Sequence, residues 1–233
     1  MRRTVQLALI SVFGALHAVL FFVSFGLWRN WAIYLAPIEG IILGPSAGFL
    51  AAFLGSSIAR IAKFDPFWMF GIFAESTSVL CAGLLSRGKW KPVLAVYGIM
   101  LSAYFIDPVG RQLPLWTILD ILLALFIVYP SARLAKSLHG TDLRALSAVV
   151  ILISFVCTAT DALSRIFLLV PGGLYVPFFA SYGALEQVFI GSAVSSYIED
   201  ALVVAVSIVA GVPLLITASK LQISPWKNSE KKQ

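Results

Sequence analysis

Long apolar runs, interrupted by short polar or turn-forming stretches, organise this chain from end to end. They fall at residues 4–27, 31–43, 46–62, 67–86, 92–106, 115–136, 143–170 and 188–219. All exceed the roughly 10 residues of a membrane β-strand, and several reach the roughly 20 that carry a helix across a bilayer. Only helices and closed barrels satisfy their backbone in lipid, so the pattern predicts an all-α integral membrane protein. It places one transmembrane helical domain at residues 1–222 and a polar cytoplasmic tail at 223–233, ending "SPWKNSEKKQ".

The run from Trp31 to Ala62 decides the topology, because Gly44-Pro45 breaks it in the middle. With Arg2 and Arg3 inside, reading it as one span would put Arg87, Lys89 and Lys91 outside. Reading it as two puts twelve basic residues inside, including Arg133, Lys136, Arg144, Lys220, Lys227, Lys231 and Lys232. Three then lie outside, namely Arg29, Lys63 and Arg111. Cytoplasmic loops carry the excess of Lys and Arg, so Gly44-Pro45 is expected to be a turn. The loop 171–185, "PGGLYVPFFASYGAL", has neither Lys nor Arg, as an outside loop should. A bundle of about eight crossings follows, multi-pass in the cell membrane, with both termini cytoplasmic. The 31–43 span is about 20 Å long and cannot cross a roughly 30 Å core alone, so neighbours must shield it. Small residues from Ser46 to Ser56 let the next helix pack closely.

Composition agrees with this picture. Of the 233 residues, 60% are hydrophobic and 12% charged, too few polar side chains to cover a water-facing surface. The net charge of +6 is explained by basic cytoplasmic loops and needs no nucleic acid. Cys81 and Cys157 lie within apolar runs and read as core packing. The N-terminus, "MRRTVQLALISVFGALHA", starts like a signal peptide, but its apolar run continues to Leu27 without a small-residue cleavage site. A retained first span is expected.

Ionisable residues within spans cost about 2.5–3.5 kcal/mol each on insertion scales and are functional candidates by default. The spans keep Glu39, Arg60, Glu75, Asp120, Asp161, Arg165, Glu199 and Asp200. At 1.5 Å per residue, Arg60 lies about 3 Å from the outer end of its helix, and Asp120 and Arg165 about 8 Å. Glu75 lies about 12 Å down, Asp161 about 14 Å and Glu199 about 17 Å. Six charges from five spans thus share the outer half, with Glu39 alone towards the inner side. That layer suggests a polar cavity open to the outside.

Each residue also has a plainer explanation. Asp161 and Arg165 are four apart and could neutralise one another. Arg60 could snorkel to the interface. Glu199 and Asp200 point about 100° apart, so one faces the cavity and the other needs a partner. Asp107, beside Pro108 and Gly110, reads as a loop residue, and His17 as a hydrogen-bonded core histidine. Trp28, Trp31, Trp68 and Trp116 fall at the outer interface, where an aromatic belt is expected, although Trp68 and Tyr175 could stack on a flat ligand.

No catalytic set accompanies these charges. "GLLSRGKW" at 83–90 nearly matches a phosphate loop, but Trp90 replaces the magnesium-holding Ser or Thr, and the segment ends a span. No enzyme activity, metal or cofactor is expected, so uphill transport would need an ion or a partner ATPase.

Four stretches resemble the substrate-binding S components of energy-coupling factor transporters. They are "APIEGIILGPSAGFLAAFLGSSIARI", "FAESTSVLCAGLLSRG", "TDALSRIFLLVPGGLYVPF" and "YIEDALVVAVSIVAG". Such proteins usually have six spans, and here 92–136 looks like an added hairpin. Members carry Ala-x-x-x-Ala on the first span for contact with a membrane coupling subunit. This chain has Ser11-x-x-x-Ala15 and Gly14-x-x-x-Ala18 instead. The resemblance implies capture of a vitamin-like micronutrient from outside, driven by a coupling subunit and a pair of cytoplasmic ATPases. Arg60, Trp68, Glu75, Asp120, Asp161, Arg165 and Glu199 are the candidate substrate-binding residues. Two cations against four anions among them favour a substrate with a positive or hydrogen-bond-donating group. The competing reading is a self-sufficient ion-coupled transporter or channel, with Glu75, Asp161 and Glu199 as ion sites.

Overall fold

The computed structural model describes residues 3–23, 30–64, 67–139 and 142–220. The expected tail at 223–233, and Trp28 and Arg29 of the first loop, lie outside the described residues. Eight apolar segments form helices: α1 Arg3–Phe21, α2 Ala32–Leu43, α3 Pro45–Ala62, α4 Trp68–Leu85, α5 Trp90–Ile106, α6 Leu119–Leu134, α7 Leu143–Leu169 and α8 Tyr182–Val206. A π-helical turn, Ser207–Gly211, continues α8 into α9, Val212–Lys220, so that 182–220 is one helical rod. Six of these units are long and apolar enough to cross a membrane, while α2 and α5 are shorter. The chain is a helical membrane protein.

The α2–α3 hairpin explains how a 12-residue helix survives in an apolar setting. Helix α2 is only about 18 Å long and, Glu39 apart, is apolar all round. A helix of that pattern belongs inside protein, and every residue of α2 except Leu35 is buried. The turn is made by Gly44, whose φ of 78° lies in the region that side chains resist. Pro45 follows at the first position of α3, where its missing N–H costs nothing. A Cβ on Gly83 of α4 would stand 2.6 Å from Pro45 N, so α4 covers the turn at backbone contact. Gly44 is therefore buried against α4 and Pro45 half-buried, while Ser46 is exposed.

Helix α3 has two opposite faces. Ala47, Gly48, Ala51, Ala52, Gly55, Ser56 and Ala59 are buried, whereas Phe49, Leu50, Phe53, Leu54 and Ile58 are exposed. The small face lets α1 dock closely. A Cβ at Gly55 would lie 2.5 Å from Gly14 O, and one at Gly14 3.2 Å from Ala51 O. With no hydrophobic drive between helices in lipid, close approach through small residues is what holds such a pair. Gly14 and Ala18 are therefore spent inside the chain, while Ser11 and Ala15 face outward.

Helix α7 forms the centre and is the most deeply buried long helix. Asp142 starts it by accepting from Arg144 N at 2.9 Å, an N-cap. Tyr97 of α5 reaches α7 through its hydroxyl, 3.2 Å from Val156 O and 3.1 Å from Thr160 Oγ1. The α5–α6 hairpin is thus packed into the bundle. Its connection holds Asp107, a loop residue as expected, whose Oδ1 accepts from Val109 N and Gly110 N. Cys81 and Cys157 are both buried free thiols.

Contacts show which helix ends lie together. One end gathers the ends of α1, α3 and α7 with the starts of α4 and α6, through the charged contacts described below. The loop before α8 joins them, where the rings of Phe178 and Phe67 are 4.8 Å apart. The opposite end holds the α2–α3 turn, the end of α4 and the start of α5, whose Trp90 ring meets Tyr129 of α6 at 5.4 Å.

Candidate functional site

Glu75, buried on α4, is the hub of a charge network at the first of these ends. Arg60 Nη2 donates to Glu75 Oε1 at 2.7 Å and Nη1 to Oε2 at 3.2 Å. Ser56, one turn before Arg60, bonds both Arg60 and Glu75 through its hydroxyl. Asn30 Nδ2 donates to Glu75 Oε1 at 3.0 Å, and its Oδ1 accepts from Ala32 N, which ties the start of α2 to the hub. Gly71, one turn before Glu75, leaves the space that the Arg60 guanidinium fills. Phe21 of α1 covers that guanidinium, its ring centre 4.6 Å away. Arg60 is 5% exposed, so it turns inward and does not snorkel.

His17 joins this hub to a second carboxylate. Its Nδ1 lies 3.0 Å from Glu39 Oε2 and its Nε2 3.1 Å from Glu75 Oε2, with all three residues wholly buried. The expectation that Glu39 falls apart from the other charges is corrected here. Eight residues after Trp31, Glu39 lies about 12 Å along its span, as far in as Glu75. It is also near the Gly44-Pro45 turn, and the 12-residue α2 is too short for that turn to mark the far surface. His17 is the hydrogen-bonded core histidine expected, and its two carboxylate partners were not foreseen.

On the other side of the hub, Arg165 of α7 binds Asp161 with Nε–Oδ2 at 2.8 Å and Nη2–Oδ1 at 3.2 Å. Its Nη2 also stands 3.6 Å from Glu75 Oε1. The i, i+4 pair therefore exists and is extended to a third group. Guanidinium and amide donors surround the Glu75 oxygens, so this carboxylate is built for cations of the chain itself and not for a metal ion.

Arg165 opens onto a cavity of about 210 Å³ between α4, α6, α7 and α8. Phe70, Ile121, Ala162, Ile166, Leu169 and Phe189 give it apolar walls. Asp120, Arg165 and Glu199, with Thr117, Ser192 and Ser196, are its polar groups. Ser196 Oγ donates to Asp120 Oδ2 at 3.3 Å. Asp200 turns away and accepts from Thr158 Oγ1 at 2.9 Å, so one member of the Glu199-Asp200 pair faces the cavity. Tyr197 bonds Trp116 O and fastens α8 to the start of α6. Phe178 of the 171–181 loop touches Phe70 of the cavity wall, with ring centres 6.0 Å apart.

Six of the seven candidate substrate-binding residues are thus contiguous. Asp120, Arg165 and Glu199 line the cavity, Glu75 and Asp161 hold Arg165 from behind, and Arg60 is bonded to Glu75. Trp68 is not among the lining residues and is 46% exposed at the start of α4. Phe70, two positions on, takes the place expected for it. Tyr175 does not line the cavity either.

Comparison with known proteins adds one relative. The chain is 30% identical over 134 residues to the uncharacterized protein MJ0923 of Methanocaldococcus jannaschii. The match covers 55% of this chain and 44% of that protein, less than half of its length. No family model matches the chain, and no solved structure matches it.

Proposed function

We propose that this protein is a substrate-binding subunit for uptake of a small, vitamin-like solute across the cell membrane. Substrate enters the cavity between α4, α6, α7 and α8 from outside, and partner ATPases with a membrane coupling subunit supply the energy. The observation that carries this reading is the cavity itself, an apolar pocket with a few convergent polar groups inside a helical membrane protein. Pockets of that make-up are the default binding sites of such folds. At about 210 Å³ it is below the usual roughly 300–1,000 Å³, which suits a small solute. Asp120 and Glu199 suit a positive or hydrogen-bond-donating group, and Arg165 an acidic or carbonyl one. The loop 171–181, in contact with the cavity wall through Phe178, serves as a lid. The outward Ser11 and Ala15 of α1 are the surface left for the coupling subunit.

A self-sufficient ion-coupled transporter is the second reading, favoured by the wholly buried His17–Glu39–Glu75 cluster. Purification of tagged protein from its native membrane in mild detergent, followed by mass spectrometry, separates the two. Recovery of an ATPase pair and a membrane subunit supports the first reading. Recovery of the protein alone, under conditions that preserve known transporter complexes, transfers support to the second.

A further inference from the structure

The contacts of His17 fix a proton count. Each of its ring nitrogens lies at hydrogen-bond distance from a carboxylate oxygen, 3.0 Å to Glu39 and 3.1 Å to Glu75. Each contact needs one hydrogen. A neutral imidazole brings one and an ionised carboxylate brings none. One further proton therefore resides in the cluster.

Glu75 does not hold it. Asn30, Ser56 and Arg60 already direct hydrogens at its two oxygens, and Arg165 adds charge at 3.6 Å. Glu39 has no such company. Its Oε1 is buried without a hydrogen-bond partner among the described residues, and its Oε2 meets only His17. The extra proton thus lies between Glu39 and His17. The pair is either an imidazolium with a carboxylate or a neutral imidazole accepting from a carboxyl O–H, and both forms carry the same net charge. Without that proton, a carboxylate oxygen would face either a nitrogen lone pair or an uncompensated apolar wall, a costly state for a buried charge.

We propose that His17 and Glu39 form a buried binding site for one proton, linked through Glu75 and Arg165 to the cavity between α4, α6, α7 and α8. Among the described residues, the charged and titratable groups facing the pair are Glu75 from α4, towards His17, and the Cys157 thiol from α7, towards Glu39, with Arg60 of α3 bonded to Glu75. Asp161 and Arg165 of α7 act on it through Glu75. Release of the proton leaves one more negative charge beside Glu75. The Arg165 side chain is 29% exposed and borders the cavity, so it is the cation free to respond. Protonation then sets how strongly Arg165 is drawn from the cavity wall towards the hub. The proton site stands whether or not the cavity takes a substrate, and only the link to the cavity rests on the proposed function.

Proton counting on purified protein tests the site. Titrated upward from about pH 6, where an ordinary carboxylate is already ionised, until the protein unfolds, wild type releases one proton that Glu39→Gln does not, because the introduced amide supplies the missing hydrogen. Equal release by the two overturns the site. Nitrogen-15 NMR of wild type covers the case in which the variant does not fold, since the chain has only two histidines, His17 and His139. Two N–H groups on His17, or one N–H with the other nitrogen in a strong hydrogen bond, persisting above about pH 8, where an ordinary imidazole is neutral, support it. Titration of the His17 ring in the ordinary imidazole range, near about pH 6.5, overturns it. The link is read with Ser192→Cys on the cavity wall, modified by a charged methanethiosulfonate with and without Glu39→Gln; Cys81 and Cys157 are buried. The ratio of the two rates changes by about fivefold or more across the release. A ratio independent of pH overturns the link and leaves the proton site to the titration.

Discussion

The guanidinium of Arg60 occupies the volume where a side chain on Gly71 would begin. The glycine is thus part of the charge network without carrying charge, since any Cβ there would push Arg60 off Glu75. Gly71→Ala is expected to cost about 3–5 kcal/mol, the range for breaking a buried ion pair. Thermal unfolding in detergent checks it, and the cost should largely vanish in an Arg60→Ala background. Equal costs in both backgrounds would show that Gly71 matters for another reason.

Glu75 is the one carboxylate shared by Arg60, Arg165, His17, Asn30 and Ser56. Glu75→Gln keeps the shape and removes the charge that Arg60 and Arg165 share, although Arg165 keeps Asp161. A loss of about 3–5 kcal/mol is expected. Glu39→Gln should cost much less, because its introduced amide can donate to His17. Reversal of that order in melting experiments would show that Glu39 is the true hub.

Much of this site was legible from charge alone. Arg60, Glu75, Asp120, Asp161, Arg165 and Glu199 stand out because lipid-embedded spans carry ionisable groups only at a cost, and the structure brings all six together. Glu39 was misplaced because nearness to the Gly44-Pro45 turn stands for nearness to the inner surface only if α2 crosses the membrane, and its 12 residues are too few. The partners of His17 were hidden for a related reason: they come from α2 and α4, and sequence does not say which faces meet. A signal did exist, since Glu39 is a lone carboxylate on an otherwise apolar short helix and needs a donor somewhere. Trp68 lies outside the cavity lining, a position that residue type does not reveal because Trp suits both a membrane interface and a pocket. Two residues of α4 separate Trp68 from Phe70, about 200° around the helix, so the choice of face could not be read from type. The Gly44-Pro45 turn, in contrast, followed from the distribution of Lys and Arg and from the two residues themselves.

That turn carries its own test. Gly44 has φ of 78°, and a Cβ there would come within 2.5 Å of the Arg87 guanidinium. Gly44→Ala should cost about 1–3 kcal/mol for the backbone alone, since φ 78° with ψ −179° is a conformation open essentially to glycine, plus whatever displacing Arg87 adds. In an Arg87→Ala background the second part disappears and the first remains. If the cost falls to zero there, the strain at Gly44 is absent.

The cavity can be filled without disturbing the hub. Ala193 of α8 lines it and is 3% exposed. Ala193→Phe would project a ring among Ile121, Ala162 and Phe189. Overpacking costs of about 1–3 kcal/mol are tolerable, while a small molecule that co-purifies with wild type should bind at least about tenfold more weakly, roughly 1.4 kcal/mol. Native mass spectrometry of both proteins reads this directly. Undiminished retention would place the ligand elsewhere.

The alternation of helix ends makes a prediction about sidedness that length alone does not. Helix α5 has 17 residues, about 26 Å, slightly short for a roughly 30 Å hydrocarbon core. Yet it is packed along α7 through Tyr97, and its two ends lie at opposite ends of the bundle. Lys89 precedes it, Gln112 follows it, and Val176 lies in the loop after α7; all three are exposed. If α5, α6 and α7 each cross, single cysteines at 112 and 176 label from one side of the membrane and one at 89 from the other. An impermeant maleimide on intact cells, before and after permeabilisation, reads this against the unreactive background of buried Cys81 and Cys157. Labelling at 112 and 176 in intact cells, with 89 protected, is the expected outcome. Labelling of 89 and 112 from the same side would mean that α5 does not cross, reduce the crossings from eight, and remove the outside position assigned to the start of α6 and with it Asp120.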